Sequence, residues 1–488
     1  MQKIEIKEGP RFEHYRAYGS LTSTVDSFLK KVQGPVSKLK DHTIWMINST
    51  AIGGGVAEML PSQMRILREL GMSIEWLVIE ASNPDFFTLT KRIHNAIHGS
   101  GDGAFNEADK EVYEAVNREN LDAALSLIQH GDLVVVHDPQ PLPLGRMIKE
   151  HLDVSLIWRC HIGLEEQNEV SNAVWDFLSP YFEPYNEFVF SLESYTPKQL
   201  EGRTTIITPS IDPLSHKNRT LSLDKCLGVL HQSGIINTKP PLLYPFYEHR
   251  VRRVMPDGSF GPVNAKSPLD IIWYPTVFQV SRWDRLKGFK ELMDAFILLK
   301  KRSKDPNGKS AFNTKRIKTT RLVLAGPDPK FVADDPEGNQ VLQELINTYS
   351  ELPKEFQDDI ALLLLPMDNQ KENALIVNAL QLASNIVVQN SLQEGFGLTA
   401  TEAMWKRKCV LVSGAAGLNH QVQHGVNGIM NKNPKDIEAL TSTLEFMLNN
   451  PHDREAWGFN AQVRVIENFT LFSPLYDFIE LWVKIKQD

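Results

Sequence analysis

The chain has 488 residues, 42% of them apolar and 23% charged, which is room for two or three domains of ordinary size and the composition of a globular protein. Lys and Arg number 52 against 60 Asp and Glu, so the formal net charge of −8 gives no reason to expect nucleic acid or an anionic membrane as partner. The cysteines Cys160, Cys226 and Cys409 form no CxxC pair, no run approaches the ~18 apolar residues of a membrane helix, and the amino terminus lacks the apolar core of a signal peptide. A disulfide frame, a zinc site and an integral membrane segment are thereby set aside, and the expected location is cytoplasmic.

Along the chain, short β-branched runs alternate with longer amphipathic stretches, the pattern of parallel sheets covered by helices. In the first half the strands are expected at 43–47, 73–79, 132–137, 154–159, 188–190 and 204–207. The second half repeats the pattern at 277–281, 321–325, 361–365, 386–389 and 410–412. Between the halves, 218–275 is rich in proline, tyrosine and histidine without a clear period, so the domain boundary is expected near 267–275. The expected division is an N-terminal α/β domain at 1–270, with an insertion at about 218–268, and a C-terminal α/β domain at 271–470. A last helix, 471–488, is expected to return to the first domain. Open α/β sheets bind ligands at the carboxyl ends of their strands, which is where the polar motifs fall.

After the first strand, NSTAIGGGVAE (48–58) sets Gly53, Gly54 and Gly55 ahead of a helix, where the backbone can approach a ligand closely. It is neither a P-loop nor GxGxxG, since Glu58 holds the final place, and alone it reads equally as a tight turn. HDPQP (137–141) and WRCHIG (158–163) put His137, Asp138, Gln140, Arg159 and His161 at two further strand ends, which favours substrate binding over isolated structural histidines. No His/Asp spacing typical of a metal site occurs, and none is expected.

In the second half, SRWDRLKGF (281–289) places Arg282 and Lys287 in the loop after a strand. Two cations there suit a leaving diphosphate, Arg by its fork and Lys as a point charge. NGKS (307–310) fails as a P-loop, with Ser303 where the first glycine belongs. SLQEGFGLTATEAM (391–404) runs from strand to helix and carries Glu394 before the helix and Glu402 inside it. On a helix these two would be roughly 12 Å apart, beyond the ~5–9.5 Å of a glycosidase pair. The amides of Gly395, Phe396, Gly397, Leu398 and Thr399, at a helix amino end, form a seat for phosphate or developing negative charge. Gly395 to Ala400 also fits GxGxxA, but the next strand, ending at Gly414, lacks the acidic residue that would hold a dinucleotide's ribose.

Taken together, NSTAIGGGVAE, HDPQP, WRCHI, PSIDPLS (209–215), QVSRWDRLKG (279–288), DDPEG (334–338) and EGFGLTATEAMWK (394–406) resemble glycosyltransferase family 4, the retaining GT-B enzymes. Within it the chain looks most like the trehalose synthases, with the retaining trehalose phosphorylases close by. The resemblance implies a GT-B fold, two Rossmann-like α/β domains facing across a cleft, and a retaining hexosyltransferase that makes trehalose reversibly from a nucleoside-diphosphate glucose and glucose. A phosphorylase using inorganic phosphate, or a glucosyltransferase acting on another small or lipid acceptor, are the alternatives. It further implies that Arg282 and Lys287 neutralise donor phosphates and that Glu402 holds the ribose. Glu394 and the amides of 395–397 would hold the transferred glucose, and Gly54 and Gly55 would approach the donor. Asp138, Gln140 and His161 would bind the acceptor, with His161 also counted as catalytic. Partners are small molecules, the nucleotide sugar and the sugar acceptor, without a cofactor, and a homodimer is left open. Three features depart from the family pattern: Gly163 where Asp is frequent after His-Ile, the stretch 218–268, and a basic loop expected at 300–321.

Overall fold

The computed structural model describes residues 1–51, 55–237, 247–265, 268–304, 314–331 and 337–487. Contacts divide the chain into two compact units, Met1–Asp212 with Ile466–Asp488, and Pro213–Val465.

The first unit holds β1 (Gln2–Ile4), β2 (Thr43–Asn48), β3 (Ser73–Val78), β4 (Leu133–His137), β5 (Ser155–Arg159), β6 (Glu187–Phe190) and β7 (Thr204–Ile206). They form one sheet in the order β1-β3-β2-β4-β5-β6-β7, parallel except for β1, which lies antiparallel on β3. All five residues of β4, Leu-Val-Val-Val-His, are buried, as expected of a parallel strand covered on both faces. The chain runs outward from β2 to β3 and then crosses back to β4, so the carboxyl ends of β2 and β4 border the switch point of the sheet. The helix Phe472–Gln487 belongs to this unit. Its buried stripe of Phe472, Leu475, Ile479 and Trp482 has helical spacing. Phe472 packs against Phe12, Tyr15 and Phe28 at ring-centroid distances of 6.4, 5.2 and 5.4 Å.

The second unit holds β8 (Arg252–Val254), β9 (Phe260–Pro262), β10 (Thr276–Val280), β11 (Arg321–Pro327), β12 (Ile360–Leu365), β13 (Ile386–Gln389), β14 (Cys409–Ser413) and β15 (Ile429–Asn431). Their order is β15-β14-β13-β10-β11-β12-β8-β9, with β8 and β9 antiparallel at one edge. Here the chain travels from β10 to β12 in one direction and then restarts on the other side with β13. The switch point therefore lies between the neighbours β10 and β13.

Three expectations need correction. The division falls at Asp212/Pro213, not near 267–275. The intervening segment is also not irregular throughout. Its helix Leu223–Gln232 packs on the helix Gln370–Ala383, and β8 and β9 extend the second sheet, so its contacts are with the second unit. Finally, 300–321 is not one basic loop. Lys300 is a fully buried residue of the helix Phe289–Lys304, and Arg321 starts β11. Both ion-pair with Asp359, Lys300 at 2.8 Å. Residues 305–313 lie outside the described residues.

Candidate active site

At the switch point of the second unit the loop after β10 divides its side chains between structure and site. Trp283 is buried, donates from Nε1 to the Pro327 carbonyl at 2.8 Å and packs on Phe289 at 4.9 Å. Asp284 caps the short helical turn that follows by accepting from the Leu286 amide at 2.8 Å. Arg285 turns outward to Glu344. Lys287 turns inward, and its Nζ lies 2.9 and 2.8 Å from the two oxygens of Glu394. The Glu394 carboxylate also accepts from Ser391 Oγ at 2.9 Å and Gln389 Nε2 at 3.3 Å. A cation of one loop and an anion of the other are thus held at neighbouring strand ends. Arg282 follows just beyond β10 and is partly buried.

The loops themselves are tied by three buried glutamines that sequence reasoning missed. Gln279 donates to the Lys287 carbonyl at 2.7 Å and accepts from the Asn390 amide at 3.2 Å, clasping both loops. Gln389 links Ser281, Ser391 and Glu394. Gln421 donates to the Phe396 and Gly417 carbonyls and accepts from Thr401 Oγ1 at 2.6 Å, fixing the glycine turn. A buried amide with every partner in place rigidifies what it touches. Gln279 and Gln389 did leave a signal, an amide side chain at or near the end of a largely apolar strand (Thr-Val-Phe-Gln-Val and Ile-Val-Val-Gln).

Gly397 is the residue before the helix Leu398–Trp405 and takes the left-handed conformation, φ 87°. The first amides of that helix, which no helical turn precedes, therefore point along its amino end beside the Glu394 turn. Glu402, further along the helix, is buried, and the ammonium of Lys217 lies 3.8 Å from its Oε1.

In the first unit, Gly55, which begins the helix Gly55–Glu69, is described, whereas Gly53 and Gly54 lie outside the described residues. A pocket here is lined by Met59 and Gln63 of that helix, by His137, Arg159 and His161, and by Phe478 of the C-terminal helix. His137 Nδ1 and His161 Nε2 are 3.1 Å apart, and the buried Nδ1 of His161 has no hydrogen-bond partner among the described residues. Asp138, at a positive φ of 62°, accepts the His161 amide on Oδ1 at 2.9 Å. At least one of its oxygens is thus engaged in holding His161. Gln140 has a buried side-chain oxygen without a partner among the described residues. Arg159 is buried rather than facing outward, donating to the Phe190 carbonyl at 3.0 Å.

Burial, reinforced by Arg159, pushes the His137 pKa down to about 3 and holds that of His161 well below the usual range, so both imidazoles are neutral at neutral pH. Burial pushes the Asp138 carboxyl up to about 6, against the His161 amide and Arg159. The signs differ. A depressed imidazole leaves the unfolded chain with more protons, so its contribution is present above pH ~6.5 and is lost as the pH falls towards ~3. A raised carboxyl contributes at low pH and loses that contribution between ~4 and ~6. Going from pH ~6.5 to ~5 should cost about 2 kcal/mol of stability through His137 alone. Denaturant titrations at both pH values should show that cost reduced by this amount in His137→Gln.

Residues 46–197 match the family model described as trehalose synthase, N-terminal domain, and residues 273–464 match that of glycosyl transferases group 1. A trehalose synthase from Thermococcus litoralis is 31% identical over 475 residues, 97% of this chain and 97% of that protein. The chain belongs to the trehalose synthase family. It is accordingly a glycosyltransferase, and a hexosyltransferase by class. A trehalose phosphorylase from Pleurotus sajor-caju is 27% identical over 80% of this chain and 51% of its own length. The crystal structure of an α,α-trehalose-phosphate synthase (UDP-forming) from Burkholderia vietnamiensis superposes with a TM-score of 0.65 at 16% identity, over 91% of this chain and 98% of that one. That likeness establishes the fold, GT-B.

In this trehalose synthase family chain Gly163 has a packing reason. A Cβ there would stand 2.3 Å from Cβ and Cγ of the buried Tyr195, so the ring fills the space a side chain would need. Gly163→Asp should therefore lower stability by about 1–3 kcal/mol through overpacking, read as a shift in denaturant midpoint. Among the described residues no group of three or more His, Cys, Asp or Glu could hold a metal ion, and no helix is long and apolar enough to cross a membrane.

Proposed function

We propose that this chain transfers glucose from a nucleoside-diphosphate glucose to glucose, forming trehalose with retained configuration, in a reversible reaction. The observation that carries the reading is the Lys287–Glu394 pair at the β10/β13 switch point, beside the amino end of the helix Leu398–Trp405. Lys287 and Arg282 face the diphosphate, and the amides of Gly395 to Thr399 add partial positive charge. Glu394, held by Ser391 and Gln389, accepts hydroxyls of the transferred glucose. Glu402 accepts the ribose hydroxyls. In the first unit, the neutral His161, set by Asp138 and His137, offers a ring nitrogen to the acceptor glucose.

In the step itself the bond from the anomeric carbon to the diphosphate oxygen breaks while a bond to the acceptor oxygen forms on the same face. The acceptor's proton passes to the leaving phosphate. Charge grows on that phosphate as the bond breaks, so fixed cations accelerate the step by binding the transition state more tightly than the ground state. Incubation with ADP-, UDP- or GDP-glucose and ¹³C-labelled glucose, followed by NMR, tests this. Labelled α,α-trehalose with one of the donors is the expected product; a β-linked disaccharide, or none with any donor, would overturn the reading.

A further inference from the structure

Met46 of β2, His137 of β4 and His161 just beyond β5 come from three neighbouring strands of the first sheet and form one line of polar contacts. His137 Nε2 lies 3.4 Å from Met46 Sδ, and His137 Nδ1 lies 3.1 Å from His161 Nε2. The two ring centroids are 5.5 Å apart, with 12° between the ring planes. That separation is close to the nitrogen–nitrogen distance plus the centre-to-vertex distance of each ring. The imidazoles therefore meet edge to edge near a common plane, along the direction of an N–H on one ring and a lone pair on the other.

Both imidazoles are neutral at neutral pH, so each carries a single ring proton. Two arrangements put one proton into the contact between them. With both rings protonated on Nε2, His137 donates to the Met46 sulfur and accepts from His161. With both protonated on Nδ1, His137 donates to His161 and turns a lone pair towards Met46. A thioether sulfur accepts weakly and never donates, so only the first arrangement makes the Met46 contact attractive. The first also leaves a lone pair, not an N–H, at the buried Nδ1 of His161, which has no partner among the described residues. Orphaned N–H groups are the rarer of the two in protein interiors. His161 lines the pocket of the first unit, as does Arg159, whose buried Nε is likewise without a partner among the described residues. The pocket thus carries an acceptor on one side chain and a donor on another, and a hydroxyl is the group that can meet either. We infer that Met46 and His137 are positioning residues that hold His161 protonated on Nε2, so that its Nδ1 accepts the hydrogen of a sugar hydroxyl and disfavours substituents that can only accept. The hydroxyl rests on the acceptor reading proposed above; the tautomer does not.

Selective ¹⁵N labelling of histidine, with the His161 signals identified by their loss in His161→Asn, reads the tautomer without substrate. Expected are a protonated Nε2 and an unprotonated Nδ1 on both rings, and a protonated Nδ1 on His161 would overturn the inference. Kinetics then use glucose and its monodeoxy and monofluoro analogues as acceptors, with whichever nucleotide sugar the wild-type chain uses best. At one hydroxyl position the deoxy analogue should raise KM about tenfold, and the fluoro analogue, which cannot donate, should be as poor. His137→Phe should close that gap by raising KM for glucose alone, and His137→Asn, whose amide oxygen can accept the same N–H, should restore most of it. A merely structural role would raise KM equally for glucose and the deoxy analogue. That result, or equal KM for glucose and every analogue, as expected if water fills the pocket, would overturn the hydroxyl assignment. Met46→Leu, a volume-conserving swap, repeats the comparison should the phenylalanine variant fold poorly. A chain that makes no trehalose would remove the acceptor reading and the hydroxyl with it, and the labelled spectrum would still decide the tautomer.

Discussion

Lys287→Ala is expected to lower kcat/KM for glucosyl transfer by about 10²–10³-fold, most of it in kcat, while the protein stays folded. Lys287 is the cation placed against the Glu394 turn by the β10 loop, and the proposed reaction sheds a diphosphate whose charge grows in the transition state. Removing a fixed charge from a preorganised site costs most where charge develops. The stability cost is smaller, about 1–3 kcal/mol, because Ser391 and Gln389 continue to donate to the Glu394 carboxylate. Lys287→Arg should recover part of the activity, since it restores charge with a different reach. Steady-state kinetics together with a denaturant midpoint separate the two effects. A variant that loses stability and activity in proportion would show that the pair is structural.

Gly288→Ala is expected to be nearly as damaging without touching any charged group. Gly288 ends the turn that carries Lys287, with φ at 63°, and a Cβ built on it would stand 2.0 Å from the Asn390 carbonyl oxygen. The neighbour is backbone, so relief requires one of the two loops to move. The Gln279 clasp between Lys287 and Asn390 would open with it. Displacing a reacting group by about 1 Å can cost about 10²-fold in rate, and the left-handed conformation adds about 1–3 kcal/mol of strain. Expected are a kcat/KM down about 10²-fold and a lowered unfolding midpoint. Unchanged kinetics would mean that the spacing of the two loops does not matter to the reaction.

These two variants lie in motifs that could be read directly from the sequence, and the reason is physical. Parallel strands buried on both faces must be largely apolar runs, so β2 to β6 and β10 to β14 stand out, and the polar residues that follow them fall where open α/β sheets bind ligands. β1, β8, β9 and β15 were missed because three residues are too few to show a period, whereas the equally short β7 was read from its β-branched run Thr204, Thr205 and Ile206. The domain boundary was misplaced because the helix Leu223–Gln232 and the β8–β9 hairpin are short elements whose apolar residues make sense only against the second sheet. Glu394 and Lys287 were legible as separate residues, but their pairing depends on β10 and β13 being neighbours although far apart in sequence. Lys217 could not be found at all, since nothing in its spacing relates it to Glu402. Gly163 was read only as a departure from the family's His-Ile-Asp pattern, and the packing of Tyr195 supplies a steric reason for the glycine that no local pattern reveals.

The central claim is that trehalose is the sugar and a nucleoside diphosphate the carrier. It is tested most directly by incubating purified protein with trehalose and, in separate tubes, ADP, UDP, GDP or inorganic phosphate, and quantifying free glucose and the activated glucose formed. The account predicts glucose and a nucleoside-diphosphate glucose in equal amounts in one nucleotide tube, with loss of both in Arg282→Ala. Glucose 1-phosphate formed with inorganic phosphate alone, or no cleavage in any tube, would contradict it.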